Sequence, residues 1–222
     1  MKRFSPMSDS YQLPEEGVFG PTNRSYWVVE GRFAAGDYPS KKGYTGSGPT
    51  PEKLELLVDA EIDVFINLTQ DYPGGTDSHM SHYDPGVGGR AEVVRCPVPD
   101  EHLPACPLEG SEAREAARGA HFAGEGCPDC PNDRSRAETK EILDRIDSAL
   151  EEGQNVYAHC WGGSGRTGTI VGCWIRRHAL AGADEVLDML AKLRLGHRDG
   201  WMKPTPNTSA QAEFIVGWGE GE

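Results

Sequence analysis

The sequence predicts an α/β fold in which a central, mostly parallel sheet is flanked by helices. Two features of the 222-residue chain support this prediction. Short apolar runs rich in β-branched and aromatic residues, which are typical of buried strands, recur along the chain. Between them lie longer segments whose apolar residues have helical spacing. Strands and helices that alternate in this way form layered α/β domains with a largely parallel sheet.

The first half of the chain contains most of the predicted strands. We expect strands at residues 26–29, 32–35, 62–68 and 92–98. A helix that ends near residue 60 precedes the third of them, because Thr50 can serve as its N-cap and Pro51 as its first residue.

The second half is predicted to be mainly helical. We expect helices over residues 136–152, from the end of the loop 160–165 to about residue 180, over 184–195 and over 209–218. Gly153 ends the first of these helices. A short apolar strand at 155–159 leads directly into the loop.

The chain is predicted to form one domain over residues 25–222, which is long enough to bury a core. Residues 1–24 are polar and are expected to form a loosely ordered lead. Residues 103–135 contain several Gly and Pro residues and three cysteines, with a short helix expected only near 111–118. This segment is interpreted as a loop-rich insertion, and it accommodates part of the unusually high content of 28 glycines and 16 prolines.

Composition and charge exclude several classes of partner. A net charge of −13 repels nucleic acid and anionic membranes, so neither is expected as a partner. No apolar run is long enough for a transmembrane helix, and residues 1–11 lack the apolar stretch of a secretory signal. A cytoplasmic location is therefore expected. The oligomeric state is not predicted.

The segment VYAHCWGGSGRTG, residues 156–168, has the residues needed for chemistry on phosphate. A buried strand leads to Cys160, and Arg166 follows after five intervening residues at the start of a helix. The intervening glycines allow successive backbone N–H groups to surround an anion, and the helix N-terminus adds positive potential. Arg166 offers a planar fork of donors for two phosphate oxygens. The same field favours the thiolate of Cys160, which would be a nucleophile directed at phosphorus.

A His-Cys pair, five residues and then Arg-Thr form the signature of the cysteine-dependent protein tyrosine and dual-specificity phosphatases, and HCWGGSGRTGT most resembles their small bacterial members. The resemblance implies a phosphocysteine intermediate on Cys160. It also implies that Thr167 assists release of the thiolate and that His159 forms a hydrogen bond within the loop. Phosphate would be bound by the side chain of Arg166 and by the backbone of Trp161, Gly162, Gly163, Ser164, Gly165 and Arg166.

The family also uses an aspartate on a mobile loop to protonate the leaving oxygen. The segment CPVPD, which ends at Asp100, resembles the family's acid loop, and Asp100 is the predicted general acid. Asp100 precedes Cys160 by 60 residues, a separation that the insertion would explain. The alternative interpretation is a turn residue after a proline. Other candidates for the acid, or for a supporting role, are Asp71, Asp84, Glu101 and His102.

Near its end, the chain resembles the family's glutamine loop, which positions water for the second chemical step. Gln211 matches a glutamine of that loop, whereas Asn207 occupies the place of the other one. A solvated helix residue is the alternative interpretation of Gln211. The resemblance extends as a pattern over residues 26–218, but only residues 156–169 are specific.

Cysteines in the insertion raise the question of a metal. Cys127 and Cys130 form a C-x-x-C pair, and Cys106, His102 and His121 stand nearby in sequence. A structural zinc held by Cys106, Cys127, Cys130 and His121 is one interpretation. A redox pair is another, and free thiols are favoured because a single C-x-x-C is a weak signal. No cofactor is predicted.

The favoured function is hydrolysis of phosphate monoesters on a phosphorylated protein or peptide, on tyrosine and also on serine or threonine. A phosphatase of small molecules such as inositol phosphates is less favoured, because the loop contains no lysine. The intact pair of Cys160 and Arg166 argues against a non-catalytic phosphate-binding module. The Arg-Thr-Gly ending of the loop argues against a rhodanese-like sulfur carrier, and a merely structural cysteine would not require this set of residues.

Overall fold

The structure of the protein is a computed structural model, which describes residues 11–40, 50–123, 125–127, 129–130 and 133–222. The strands are β1 (Ser25–Val29), β2 (Phe33–Gly36), β3 (Val64–Asn67), β4 (Glu92–Arg95) and β5 (Val156–His159). The helices are α1 (Glu52–Asp59), α2 (Asp84–Val87), α3 (Gly110–Ala123), α4 (Asp133–Glu151), α5 (Gly165–Arg177), α6 (Val186–Arg194) and α7 (Ser209–Val216).

The strands form a single sheet in the order β1-β2-β5-β3-β4. β1 runs antiparallel to β2, and all the other pairs are parallel, so the predicted mostly parallel α/β architecture is confirmed. β5 lies in the middle, where His159 is in register with Gly36 on one side and Asn67 on the other. The carboxyl ends of these strands therefore meet at one edge of the sheet, which is where open α/β sheets bind ligands.

Apolar side chains cover both faces of the sheet. Because successive strand residues point to opposite faces, Val156 and Ala158 enter one core and Tyr157 enters the other. The larger core contains Trp174 of α5 together with apolar residues of α4, α6 and α7. The smaller core includes Leu54 of α1. This two-sided packing fixes β5, and with it the loop that follows.

The structure differs from the sequence prediction mainly at the ends of elements. α1 begins at Glu52 with Pro51 as its N-cap, and no side-chain bond caps it, so Thr50 does not have the predicted role. β4 ends at Arg95 rather than continuing to residue 98. Beyond Arg95 the register is lost, because the N–H of Cys96 donates to the carbonyl of Asn67 (2.9 Å) while that of Val98, two residues later, donates to the carbonyl of the very next residue, Leu68 (3.1 Å).

The insertion contains more regular structure than expected. α3 covers 14 residues rather than the short helix predicted near 111–118. A further short helix, α2, lies outside the insertion, between β3 and β4. α2 contains Pro85 within its first turn, where the missing N–H costs no helical hydrogen bond.

The described part of the N-terminal lead, residues 11–24, packs against the domain. The N–H of Trp27 donates to the carbonyl of Val18 (3.1 Å), and the ring of Tyr11 lies edge-on to Trp174 at 5.0 Å. Residues 1–10, which belong to the same predicted lead, lie outside the described residues. Among the helices of the described ranges, none has the length and apolarity to cross a membrane.

Candidate active site

The predicted phosphate-binding loop lies between β5 and α5, at the carboxyl edge of the sheet. Cys160 follows the last residue of β5, and Arg166 lies in the first turn of α5. Only 3% of Cys160 and 2% of Arg166 is exposed to solvent. The predicted nucleophile and the guanidinium are therefore at the base of the site rather than on its surface.

Gly163 is required by the path of the loop. Its φ is +62°, a conformation that residues with a side chain rarely adopt. A Cβ at this position would also lie 2.4 Å from the carbonyl carbon of Gly36 at the end of β2. At Gly162, by contrast, a Cβ would meet no atom within 4 Å, so only one of the two adjacent glycines is sterically required.

Arg194, at the end of α6, supports the loop from behind, a role that the sequence analysis did not detect. This buried side chain donates to the carbonyl of Gly162 (Nη2–O, 3.3 Å) and, through Nη1, to the carbonyl of Gly163. Because the C=O and N–H of a trans peptide point in opposite directions, the following N–H groups face the other side. Arg194 thereby helps to direct backbone donors into the loop. No sequence motif distinguishes it from an ordinary helix residue.

Arg166 is held by a buried carboxylate that the sequence analysis also did not identify. Asp77 accepts from both terminal nitrogens of Arg166, from Nη1 at 2.6 Å and from Nη2 at 3.0 Å. Asp77 also accepts from the N–H of Gln70 (3.0 Å). Burial alone would raise the pKa of Asp77, but the charge and hydrogen bonds of Arg166 outweigh it and lower that pKa. The resulting fork-to-fork pair fixes the plane of the guanidinium.

Asp100, the predicted general acid, lies next to Arg166. Its Oδ1 is 2.8 Å from Nη2 of Arg166, and its N–H donates to the hydroxyl of Thr76 (3.0 Å). Burial would lower the pKa of Arg166, but the charges of Asp100 and then Asp77 raise it well above its usual value, so the guanidinium is charged. Nε of Arg166 is buried and has no hydrogen-bond partner among the described residues.

The other acidic candidates have partners away from the phosphate-binding loop or at its margin. Asp71 accepts from the hydroxyl of Tyr38 (2.8 Å), and Asp84 pairs with Arg95 (2.7 Å). Glu101 accepts from Nδ2 of Asn207 (2.9 Å). Asp100 is therefore the only one of the four acidic candidates for which the structure records an ion pair with Arg166 in its described part.

His159 is fully buried beneath the loop. Its Nδ1 lies 3.3 Å from the carbonyl of Cys160, and its Nε2 lies 2.7 Å from the hydroxyl of Tyr83. Burial lowers the pKa of His159 to about 3, so the ring is neutral. Nδ1–H then donates to Cys160, and Nε2 accepts from Tyr83. This arrangement matches the hydrogen bond that the family resemblance implied.

Thr167 has a buried hydroxyl with no hydrogen-bond partner in the described ranges. It follows Arg166 in the first turn of α5 and is fully inaccessible to solvent. A buried hydroxyl without a partner is unfavourable unless a bound group or a catalytic partner uses it. The position is compatible with the predicted role of Thr167 in release of the thiolate, which remains a prediction.

Gln211 is fully buried, so it is not the solvated helix residue of the alternative interpretation. It forms a capping box with Thr208 at the start of α7. Its Oε1 accepts from the N–H of Asn207 (3.1 Å), and its Nε2 donates to the carbonyl of His102 (3.2 Å). The amide is thus engaged by backbone in the described structure, and its predicted contact with phosphate or water remains a prediction.

The rim of the site is partly aromatic. Trp161 is 53% exposed although it directly follows Cys160, and the ring of His79 lies edge-on to it at 5.5 Å. The carbonyl of Trp161 accepts from the N–H of Tyr38 (3.0 Å), which fixes the backbone while the ring stays in solvent. An aromatic surface is therefore available at the entrance.

The cysteines of the insertion are close together in space, and all six cysteines of the chain are free. Cys106, Cys127 and Cys130 cluster as the zinc hypothesis required, but the histidine in the cluster is His102. The side chain of His121 lies outside what the structure describes. His102 is two residues after Asp100, the predicted general acid, so the backbone connects the cluster directly to the candidate active site.

Comparison with known proteins agrees with this geometry. Residues 129–180, which contain the loop, match the family model described as "Polymorphic toxin system, DSP-PTPase phosphatase". No curated protein sequence matches the chain significantly. The similar solved structures include Tk-PTP in its active form, with 21% identity, a TM-score of 0.53 and coverage of 84% of this chain and 90% of that one.

Two further solved structures have similar folds. Kinase associated phosphatase has a TM-score of 0.55 and 14% identity, over 82% of this chain and 83% of that one. TpbA of P. aeruginosa has a TM-score of 0.55 and 12% identity, over 91% of this chain and 89% of that one. The chain therefore shares the fold of these solved structures, and the segment that contains its predicted phosphate-binding loop matches a phosphatase family model, in agreement with the resemblance of the loop sequence.

Proposed function

We propose that this protein hydrolyses phosphate monoesters on tyrosine residues of proteins, and also on serine or threonine, through a phosphocysteine intermediate on Cys160. The proposal rests on the arrangement of Cys160, Arg166 and Asp100. A buried cysteine directly follows the central strand, an arginine lies in the first turn of the following helix, and an aspartate from a separate loop contacts that arginine. These are a nucleophile, a phosphate ligand and an acid.

Binding would use the donors that Asp77 does not occupy. Asp77 holds both Nη atoms from one side, while Nε of Arg166 has no partner among the described residues. A phosphate in the loop would accept from Nε and Nη2 and from the backbone N–H groups of 161–166. Asp100 would then leave Nη2, whereas the buried Asp77 would keep the guanidinium in place. Asp100 would thereby become free to reach the leaving oxygen.

The reaction would proceed in two balanced steps. Once phosphate has displaced it from Arg166, Asp100 takes up a proton from solvent. The Cys160 thiolate attacks phosphorus, an S–P bond forms and the ester P–O bond breaks, while Asp100 gives that proton to the leaving oxygen. Water then attacks the phosphocysteine and gives its proton to Asp100. The S–P bond breaks, inorganic phosphate is released, and the hydroxyl of Thr167 donates to the thiolate that re-forms.

The shape of the site favours a long aryl phosphate. Cys160 is almost inaccessible, so the phosphate must extend well beyond the body of the substrate. Trp161, exposed at the entrance, can pack against an aromatic ring. The loop lacks the lysines that would suit an inositol polyphosphate, and the net charge of −13 disfavours highly anionic ligands. Phosphotyrosine satisfies these conditions better than a phosphorylated small molecule.

Replacement of the nucleophile tests the mechanism. We expect Cys160→Ser to abolish turnover of para-nitrophenyl phosphate while the variant still binds tungstate, measured by thermal shift, because the loop donors remain. Cys173→Ala, at a buried cysteine of α5 seven residues beyond Arg166, is the matched control and should retain activity. A Cys160→Ser variant that kept more than a few per cent of the activity would overturn the proposed nucleophile.

A substrate panel tests the specificity separately. We expect kcat/KM for a phosphotyrosyl peptide to exceed that for the matching phosphoseryl peptide and for inositol phosphates. A preference for inositol phosphates would contradict the proposed substrate class. It would leave the role of Cys160 intact, because both classes require the same nucleophile.

A further inference from the structure

Four metal-ligating side chains converge at the two ends of the insertion. The cluster consists of His102, Cys106, Cys127 and Cys130, and one ligand atom from each lies within 4.8 Å of the others. Three of these residues are buried, and Cys106 is half-buried. In the described part of the chain, no other group of His, Cys, Asp or Glu residues is gathered in this way.

The spacing in this Cys3His cluster is that of a metal site rather than of a disulfide. The sulfur atoms of Cys106 and Cys127 are 3.8 Å apart. A disulfide requires about 2.05 Å. The edge of a tetrahedron with Zn–S bonds of about 2.3 Å is ~3.8 Å. The N–H of Cys130 donates to the carbonyl of Cys127 (3.1 Å), and this turn brings the two C-x-x-C sulfurs to the same side.

The orientation of His102 is an independent indication of a ligand. Its Nε2 lies 3.1 Å from the carbonyl of Ala113, which can only accept, so this nitrogen carries the proton. Nδ1 then has a free lone pair, and it points at the sulfur of Cys106, 3.0 Å away. A second nitrogen bonded to a backbone carbonyl is the usual arrangement of a metal-binding histidine, because it fixes both the tautomer and the ring.

We propose that the Cys3His cluster binds one tetrahedral Zn²⁺ ion. Three thiolates and an imidazole are ligands that zinc prefers, and four protein ligands leave no position open for water, so the ion is structural. It joins residues 102–106 to residues 127–130 across α3 and thereby closes the insertion.

The site also connects the insertion to the acid loop. His102 is two residues after Asp100, and its carbonyl accepts from Nε2 of Gln211 (3.2 Å). Between them, Glu101 has φ of +62° and pairs with Asn207. A ligand bond on His102 therefore restrains the acid loop against the segment 207–211. The ion acts by positioning that loop and does not touch the substrate.

Metal content of the full-length chain is the direct test. We expect protein reconstituted with Zn²⁺ under reducing conditions to retain one zinc per chain after gel filtration, measured by plasma mass spectrometry. Co²⁺ in place of zinc should give the intense visible bands of tetrahedral cobalt and the near-ultraviolet charge-transfer bands of cobalt thiolates. Cys106→Ser and Cys130→Ser should lower the retained metal at least tenfold, whereas Cys96→Ser should not.

Two further measurements do not depend on whether the ligand variants fold. Cys160→Ser should keep one zinc per chain, which separates this ion from metal bound adventitiously at the catalytic thiol. In the wild type, Zn²⁺ should protect Cys106, Cys127 and Cys130 from alkylation by N-ethylmaleimide, mapped by mass spectrometry, and should leave the rate at Cys96 unchanged.

Three results would overturn the proposal. One is that wild-type protein retains no zinc after reconstitution. Another is an octahedral cobalt spectrum without thiolate charge transfer. The third is a Cys127–Cys130 disulfide in protein that has been reduced and then exposed to zinc. None of these results bears on the nucleophile, which is tested separately by Cys160→Ser.

Discussion

Arg166 and Asp100 are in direct contact, with Nη2 of the guanidinium 2.8 Å from Oδ1 of the carboxylate. The two partners differ in exposure, since 1% of the Arg166 side chain and 34% of the Asp100 side chain is accessible to solvent. The proposed acid therefore covers part of the proposed phosphate ligand. Under the proposed mechanism, binding of phosphate and release of Asp100 are one coupled event.

This contact predicts competition between Asp100 and phosphate. Asp100→Asn removes the charge that occupies Nη2, so we expect inorganic phosphate to inhibit the variant at lower concentration than the wild type. The effect should be a few-fold, up to about fivefold, because partly exposed ion pairs contribute only about 0.2–1 kcal/mol. The measurement is the inhibition constant of phosphate. Asp84→Asn, whose partner is Arg95, should leave that constant unchanged.

The same variant tests the role of Asp100 as general acid. Loss of the proton donor should lower kcat by ~10²–10⁴-fold for an alkyl phosphate, the usual contribution of a positioned acid. The loss should be much smaller for an aryl phosphate whose leaving oxygen hardly needs protonation. Steady-state rates on both substrates give the contrast. Equal, small losses would move the role to Asp71, Asp84 or Glu101.

Arg166→Lys should lower kcat/KM by on the order of a hundredfold or more, comparable to the loss of a preorganised donor. Lysine keeps the charge, but its ammonium cannot bond Asp77 through two parallel N–H groups and also present Nε–H to phosphate. Kinetics on para-nitrophenyl phosphate provide the measurement. Arg145→Lys, which alters the exposed ion pair with Glu92, is the matched control and should leave the kinetics unchanged. Near-normal kinetics for Arg166→Lys would contradict the proposed two-pronged contact of the Arg166 guanidinium with phosphate.

Asp77→Asn should destabilise the protein by about 3 kcal/mol at neutral pH, because breaking this buried ion pair leaves Arg166 with only the partly exposed Asp100 as a counter-charge. The effect should depend on pH. The pKa of Asp77 in the folded protein is lower than its ordinary value of 3.8. The stability that the Asp77 carboxylate contributes is therefore complete above pH 3.8 and is lost as the pH falls through the pKa of the folded protein. Urea unfolding should show the two proteins converging below about pH 4. A gap that did not change with pH would indicate packing rather than charge.

Gly163→Ala and Gly162→Ala form a matched pair within the loop. Gly163→Ala should destabilise the protein by about 2 kcal/mol or more, because a left-handed backbone is costly for alanine and its Cβ would clash with Gly36. Activity should fall with it, since the clash displaces backbone donors. Gly162→Ala meets no atom within 4 Å and should be tolerated. Thermal unfolding and kcat of both variants give the comparison, and equal effects would contradict this account.

The predicted phosphate-binding loop could be recognised from local sequence. Cys160, the glycines and Arg166 are close together within residues 156–168, so strand, loop and helix propensities specify their local structure. The alternation of apolar runs likewise determined the α/β class, since each run needs a face to bury. Ends of elements were less well predicted: β4 stops at Arg95 and α3 extends over Gly110–Ala123, because apolar periodicity indicates where an element lies more clearly than where it ends.

Tertiary structure alone decided which distant residues meet the loop. Asp77 lies in a segment without a motif, yet it pairs with Arg166 because the parallel strands β3 and β5 end at the same edge of the sheet. Arg194 reaches the loop carbonyls only because α6 packs against the neighbouring α5. His102 lies close to Cys127 and Cys130 only because the insertion folds back so that its two ends meet. These contacts join residues far apart in sequence, and local pattern carries no information about which distant pairs the packed core brings together.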